Sequence, residues 1–323
     1  MTARTASPPM TGFEWLLLGL LSLVWGGSFF FNRVLVVELH PFTVVFFRVA
    51  LAAAALLVVL RITGHSLPRS ARLWGSFFVM GLLNNLIPFG LIVWGQTQIA
   101  SGLAAILNAT TPLFTALIVH FLAQDPRERL TGHRLLGVVI GLVGVVLIVG
   151  PASLAGLGLN LLAQVAVLGA ALSYGFANNF GRRFRAAGVP PLVAATGQVS
   201  ATTIMSLPLM LLIDRPWELP AFPSATTIAA LVGLALLSTS LAYVIFFRLL
   251  SGAGAVNVAL VTLLVPASAL LLGALVFGER LDWHQLAGMA VILAGLVVID
   301  GRLPAALGRR LWRGDSRDPL RSR

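Results

Sequence analysis

The residues in this sequence that could do chemistry are few, and they stand inside long apolar runs. Asn84 and Asn85 are followed one helical turn later by Pro88. Asn108, Thr110 and Thr111 lead directly into Pro112. Ser238, Thr239 and Ser240 are consecutive, with Tyr243 close behind, and Asn257 and Thr262 precede Pro266. Trp25 is followed by Gly26, Gly27 and Ser28, which puts an aromatic ring beside a small-residue stretch of backbone, and Tyr174 and Asn178 stand one turn apart. Amides, hydroxyls and aromatic rings hydrogen-bond and stack without ionising at neutral pH. They suit recognition of a neutral or zwitterionic solute better than bond cleavage. A nucleophile needs an adjacent base, and a metal centre needs a cluster of His, Asp, Glu or Cys. The sequence has no cysteine, and His120 has no acid beside it. No catalytic or metal-binding residue is assigned and no cofactor is expected. An intramembrane enzyme is the alternative from another class, and nothing in the interior supplies its dyad.

The elements that must position these residues follow from composition. Of 323 residues, 58% are hydrophobic and 10% are charged, where a soluble domain carries about 25% charged residues. A membrane helix needs about 20 apolar residues to cross the hydrocarbon core. Residues 15–32 and 41–60 supply one span each, the second interrupted only by Arg48. The uncharged stretches 73–124 and 135–181 are long enough that each must hold two. The stretches 186–213, 219–247, 249–278 and 283–299 supply the rest, for ten transmembrane helices. The first span lacks a cleavage site of the A-x-A kind and is read as retained. All basic residues are Arg. With the N-terminus cytoplasmic, inner segments hold seventeen of them and outer loops only Arg215 and Arg280, so the positive-inside rule places both termini in the cytoplasm. The basic tail is assigned to the anionic inner leaflet rather than to nucleic acid.

The chain repeats itself. Glu128-Arg129-Leu130 and the following Gly137 recur as Glu279-Arg280-Leu281 and Gly288. Trp25-Gly26 falls on Tyr174-Gly175, Phe31 on Phe180, Pro41 on Pro191, Arg48 on Gln198 and Pro112 on Pro266. The organisation is therefore an N-terminal tail (1–13), a first repeat (14–150), a second repeat (151–301) and a basic C-terminal tail (302–323). Because five is odd, the second copy enters the membrane from the opposite side. Inverted repeats are the architecture of secondary transporters, in which two bundles rock about a site near the bilayer midplane.

The Trp25-Gly26 pair, Arg48, the two prolines each followed by a Glu-Arg-Leu turn, and the Gly-rich fifth helix resemble the EamA family of the drug/metabolite transporter superfamily. Among bacterial members the resemblance is greatest to amino-acid and metabolite exporters of the YddG type. It covers about residues 14–301. It implies an all-α basket in the bacterial inner membrane, with spans 1, 3, 4, 6, 8 and 9 around a central cavity and spans 5 and 10 packed at one edge. Gln124-Asp125-Pro126-Arg127 departs from the family, which usually has a shorter connection there.

Each polar residue has two readings. Ser and Thr often bond their own helix, and Asn can bridge neighbours; alternatively they face a wet cavity. Neighbouring residues on a helix point about 100° apart, so a cavity-facing role is favoured for at least one of Asn84 and Asn85. Pro112 and Pro266, kinking matched helices, and the Gly26-Gly27 pair are conformational candidates, close packing being the other role for the glycines. Gly137, Gly141 and Gly144 form a small-residue face for helix packing or a dimer contact, and a monomer or weak homodimer is expected. Arg48 either has a structural use, bonding backbone carbonyls or snorkelling outward, or binds a substrate carboxylate. No Asp or Glu lies within a span, which argues against proton-driven export of organic cations. The expectation is export of small zwitterionic or neutral metabolites, amino acids above all, by alternating access. A multidrug-type carrier is the alternative.

Overall fold

The structure, a computed structural model, describes residues 10–122, 130, 132–155 and 158–300. The N-terminal tail with Arg4, the 124–129 turn with its Glu128-Arg129 motif and long connection, and the basic tail 302–323 lie outside the described residues. Among those described every regular element is helical. Eight helices are long and apolar enough to cross a membrane and two more are shorter and apolar. In order they are α1 (Gly12–Leu35), α2 (Pro41–Ile62), α3 (Ala71–Gly95), α4 (Ser101–Leu122), α5 (Gly132–Ala155), α6 (Leu159–Ala186), α7 (Pro191–Glu218), α8 (Ala225–Gly252), α9 (Val261–Phe277) and α10 (Trp283–Asp300).

Local chemistry sets the helix starts. Thr11 and Glu14 form a reciprocal capping box at α1, which satisfies two of the amides a helix start leaves open. Ser70 and Ser224 cap α3 and α8 in the same way, each side chain accepting from the backbone N–H three residues on. Pro41 and Pro191 open α2 and α7, where a missing N–H costs nothing. Gly278 ends α9 with φ 63°, a left-handed turn that glycine adopts without strain and that folds Glu279 back toward the helices.

The largest packing pairs are related by exchange of the two halves. Helix α1 packs on α9 and α8, and correspondingly α6 packs on α4 and α3; α2 packs on α8, and α7 on α3. The pairs α2/α7, α4/α9 and α5/α10 map onto themselves. In the α5/α10 pair a Cβ on Gly137 would stand 2.6 Å from the Gly295 carbonyl oxygen, and one on Gly144 would stand 2.8 Å from that of Gly288. The contact order (137 with 295, 144 with 288) makes these two helices antiparallel. Of the two roles considered for the α5 glycines, helix packing is the one in use. The outward faces are apolar: Leu135, Leu136, Val139, Val143 and Val146 of α5 are all exposed. A soluble monomer does not present so continuous an apolar surface, and the chain is a multi-pass membrane protein.

The prolines behave differently from expectation. In α4 the helix breaks at Ala109–Thr110 and restarts at Thr111, so Pro112 stands on the second residue of the new segment. The second copy breaks at Ala259–Leu260, whereas Pro266 lies inside α9, beyond that break. The two prolines therefore do not mark matched kinks. A turn, with carbonyls taken up by Thr110 and Thr262 side chains, is what the two breaks share.

Candidate functional site, a one-ended cavity between the two halves

A cavity of about 1700 Å³ runs through the middle of the bundle, larger than the roughly 300–1,000 Å³ of a usual small-molecule pocket. Its mouth is formed by Leu130 and Arg134 at the start of α5, Arg185 and Gly188–Pro191 between α6 and α7, and Asn257–Ala259 before α9. Its inner end is formed by Phe29, Asn32 and Ile92. Besides α1, α3, α4, α6, α8 and α9, the wall includes Arg48 of α2, Arg134 of α5, Gln198 of α7 and Ile299 of α10, so the ring of six helices implied by the family resemblance is joined by places on the other four. Among the described residues the lining contains Arg48, Arg134 and Arg185 but no Asp or Glu.

Two wide turns give the site its polar floor. Helix α3 passes through a π-helical segment at Leu82–Leu86 and α8 through one at Leu236–Leu241. Such insertions break helix regularity and re-aim side chains, often at functional places. Asn84 and Asn85 occupy the first, and Ser238, Thr239 and Ser240 the second. Thr239 and Ser240 donate to the carbonyls of Leu234 and Ala235, five residues back, at 3.0 and 3.1 Å, which takes up acceptors that a π turn leaves free.

From the α3 segment, Asn84 lines the cavity and its Nδ2 donates to Gln198 Oε1 (3.3 Å) and to the Tyr243 hydroxyl (3.2 Å). Gln198 Nε2 donates to the same hydroxyl at 3.3 Å, and that hydroxyl donates to Asn85 Oδ1 at 3.3 Å. Asn85 is fully buried off the cavity wall, donating to Thr202 Oγ1 at 3.1 Å. One amide of the pair thus faces the cavity while the other ties α3 to α7. Across the cavity, Arg48 Nε donates to Thr239 Oγ1 at 3.0 Å, and its guanidinium carbon lies 3.6 Å from the centre of the Phe89 ring. Arg48 and Gln198, matched by the internal repeat, therefore each bond the π segment of the opposite copy.

Of the other residues singled out by sequence, Trp25, Ser28, Asn108, Thr111, Tyr174, Asn178, Ser238, Thr239, Tyr243, Asn257 and Thr262 line the cavity, as does Pro112. Ser28, Thr111 and Thr262 donate to their own helix or its preceding turn, which leaves their oxygens able to accept. Asn178 donates to Thr115, and Trp25 packs on Phe246 with ring centres 5.6 Å apart. Thr110, Gly26, Gly27 and Pro266 do not reach the wall. Thr110 is buried and donates to the Leu107 carbonyl. Gly26 presses on α9, where a Cβ would meet the Ala269 nitrogen at 2.9 Å; Gly27 has no such crowding. His120 accepts from the Leu130 N–H, a fixed role at a helix end. Among the described residues no cluster of acids and histidines could hold a metal.

Sequence reasoning passed over the groups that shut the inner end. Asn32 donates to Gln96 Oε1 at 3.0 Å, and Gln96 donates to the Phe29 carbonyl at 2.8 Å. Beyond them Glu279 caps α4, accepting from the Ser101 N–H (3.0 Å), the Ser101 hydroxyl (2.7 Å) and the Gly102 N–H (3.2 Å), with Arg33 Nε 4.0 Å away. Asp214 accepts from the Thr43 N–H and hydroxyl, and Glu38 from the Ser224 N–H. The last bond holds the exposed Glu38 carboxyl below the usual carboxylate range. Asn32 and Gln96 could have been found by the signal that identified Asn84, an amide inside an apolar run. The acids carried no such signal, since helix-end acids are common.

Comparison with known proteins matches residues 13–150 and again 161–300 to the EamA-like transporter family. The chain is 28% identical to the uncharacterized transporter YoaV of Bacillus subtilis, across 87% of this chain and 94% of that one. It is 27% identical to the uncharacterized inner membrane transporter YedA of Escherichia coli K12, over 86% and 88% of the two chains. It is 31% identical to a probable amino-acid metabolite efflux pump of Salmonella typhimurium, over 61% and 67%. A protein of known crystal structure shares the fold with a TM-score of 0.62 at 19% identity, covering 89% of this chain and 97% of its own.

Proposed function

The chain belongs to the EamA-like transporter family, and from that premise we propose that it is a secondary transporter exporting small zwitterionic metabolites, amino acids first among them. The observation that carries this reading is the cavity: open at one end, shut at the other, and lined by amides, hydroxyls, aromatic rings and arginine with no carboxylate among the described residues. Such a lining offers hydrogen bonds and stacking to a solute of no net charge. It offers no acid to trade a proton against an organic cation, which counts against the multidrug-type alternative. The name given to the Salmonella relative points the same way.

In this reading ten helices span the bacterial cytoplasmic membrane as two five-helix repeats, 14–150 and 151–301, of opposite orientation. The antiparallel α5/α10 crossing and the exchange of packing pairs support it. The termini and the cavity mouth then face the cytoplasm, where most of the arginines lie, and the captured state is inward-open. Export proceeds as the two repeats rock about the π segments, releasing the Glu279 and Gln96 contacts on the outer side while the mouth closes.

A transport screen in reconstituted liposomes tests the proposal. Uptake or release of at least one of the twenty amino acids, reduced several-fold in Asn84→Ala, is the expected result. Absence of transport for every amino acid, with neutral metabolites or drugs carried instead, would reject the substrate class.

A further inference from the structure

We propose that Arg48 is the carboxylate anchor of the cavity, the residue that selects substrates bearing a free carboxylate. The inference rests on the reading of the cavity as the substrate path. Arg48 is 6% exposed and lies on the cavity wall. Its guanidinium carries five N–H donors. One of them meets Thr239, and the flat face lies on Phe89. Among the described residues the remaining donors have no acceptor and no carboxylate pairs with the charge. Stacking on a ring fixes the plane of the guanidinium and leaves its edge free, the presentation in which it grips a carboxylate through two parallel bonds.

A purely structural role explains the residue poorly. The position matched to Arg48 in the second copy is Gln198, which bonds the opposite π segment with a neutral amide. Tying α2 to α8 therefore requires no charge, and an unpaired charge at this depth is costly. Snorkelling is excluded by direction, because Nε points to the buried Thr239. The same cavity presents acceptors that suit an ammonium group: Ser28, Thr111 and Thr262 line it and, donating their own protons to backbone carbonyls, leave hydroxyl oxygens able to accept. One cation for the carboxylate and uncharged oxygens for the ammonium give the polarity of an amino acid.

The test measures binding by calorimetry to the purified full chain, with L-phenylalanine, 3-phenylpropanoate and 3-phenylpropanamide as probes. The wild-type protein is expected to bind the two carboxylates at least roughly 30-fold more tightly than the amide, since each charge-assisted hydrogen bond is worth around tenfold or more. Arg48→Gln, which copies the matched position, should abolish that preference while leaving amide affinity within about threefold. Arg48→Lys should retain part of it, keeping the charge but losing the fork. Retention of the preference in Arg48→Gln overturns the proposal. So does a wild-type protein that binds the three probes alike or not at all, a result that decides the matter even if the variants do not fold. Carboxylate preference without transport of any amino acid leaves the anchor standing and removes the carrier reading instead.

Discussion

Replacing Glu279 with Gln should loosen the closed end of the cavity and raise the population open to the opposite side. The carboxylate accepts three hydrogen bonds at the first turn of α4, from the Ser101 N–H and hydroxyl and the Gly102 N–H. A hydrogen bond to a charged group contributes about 1.5–3 kcal/mol and one to a neutral group about 0.5–1.5, so the isosteric amide forfeits about 1 kcal/mol per bond. The Arg33 contact, at 4.0 Å with a 41% exposed guanidinium side chain, adds little. Since some loss recurs in the open state through the charge–dipole term, about 2 kcal/mol is the working difference. That shifts the equilibrium by roughly 30-fold. The chain has no cysteine, so a single Ser28→Cys on the cavity wall reports access without interference. Labelling by an impermeant maleimide, applied from the side opposite the arginine-rich loops, should accelerate by an order of magnitude or more in Glu279→Gln. An unchanged rate in a folded, monodisperse variant would refute the assignment of Glu279 as a closing contact.

Other consequences follow from the packing. Gly144→Leu should lower the melting temperature by several degrees, because its side chain would enter the α10 backbone and overpacking costs about 1–3 kcal/mol; Gly75→Ala, which meets nothing within 4 Å, should not. Asn85→Ala should destabilise by about 1–3 kcal/mol, measured by thermal unfolding in detergent, since it strands a Thr202 contact and a Tyr243 donor. Asn84→Ala should chiefly alter transport. The Glu38 carboxyl is held below its usual 4.5 by the Ser224 N–H. Its contribution is therefore complete above that value and is lost as pH falls through the lower folded-state value; Glu38→Gln should flatten the acid-side decline in melting temperature.

Much of the architecture was legible because membrane helices announce themselves by uncharged length. The glycines of α5 gave the α10 contact its small-residue signature, although their partner had to be seen. The two π segments were not legible. Asn84-Asn85 and Ser238-Thr239-Ser240 read as polar residues in ordinary helix, and no residue type demands the wide turn; it arises where side-chain oxygens and neighbouring helices take up the freed carbonyls. Which of Asn84 and Asn85 lines the cavity was not legible either, since a widened turn changes the angle between them. Pro112 and Pro266 misled for a related reason. Sequence equates them by type, whereas the chain breaks at turns that only one of them adjoins. Gln198 was matched to Arg48 by the repeat, but its bond to the other copy's π segment depends on a contact between helices far apart in sequence.

A carrier for amino acids has a saturable cavity that opens in turn to either side of the membrane. Counterflow in liposomes, with unlabelled amino acid inside, labelled amino acid outside and no ion gradient imposed, addresses it most directly. Transient, saturable accumulation of label that disappears when the internal amino acid is omitted is the predicted result. Entry that rises linearly with concentration and ignores the internal amino acid would contradict it, marking a pore in place of a carrier.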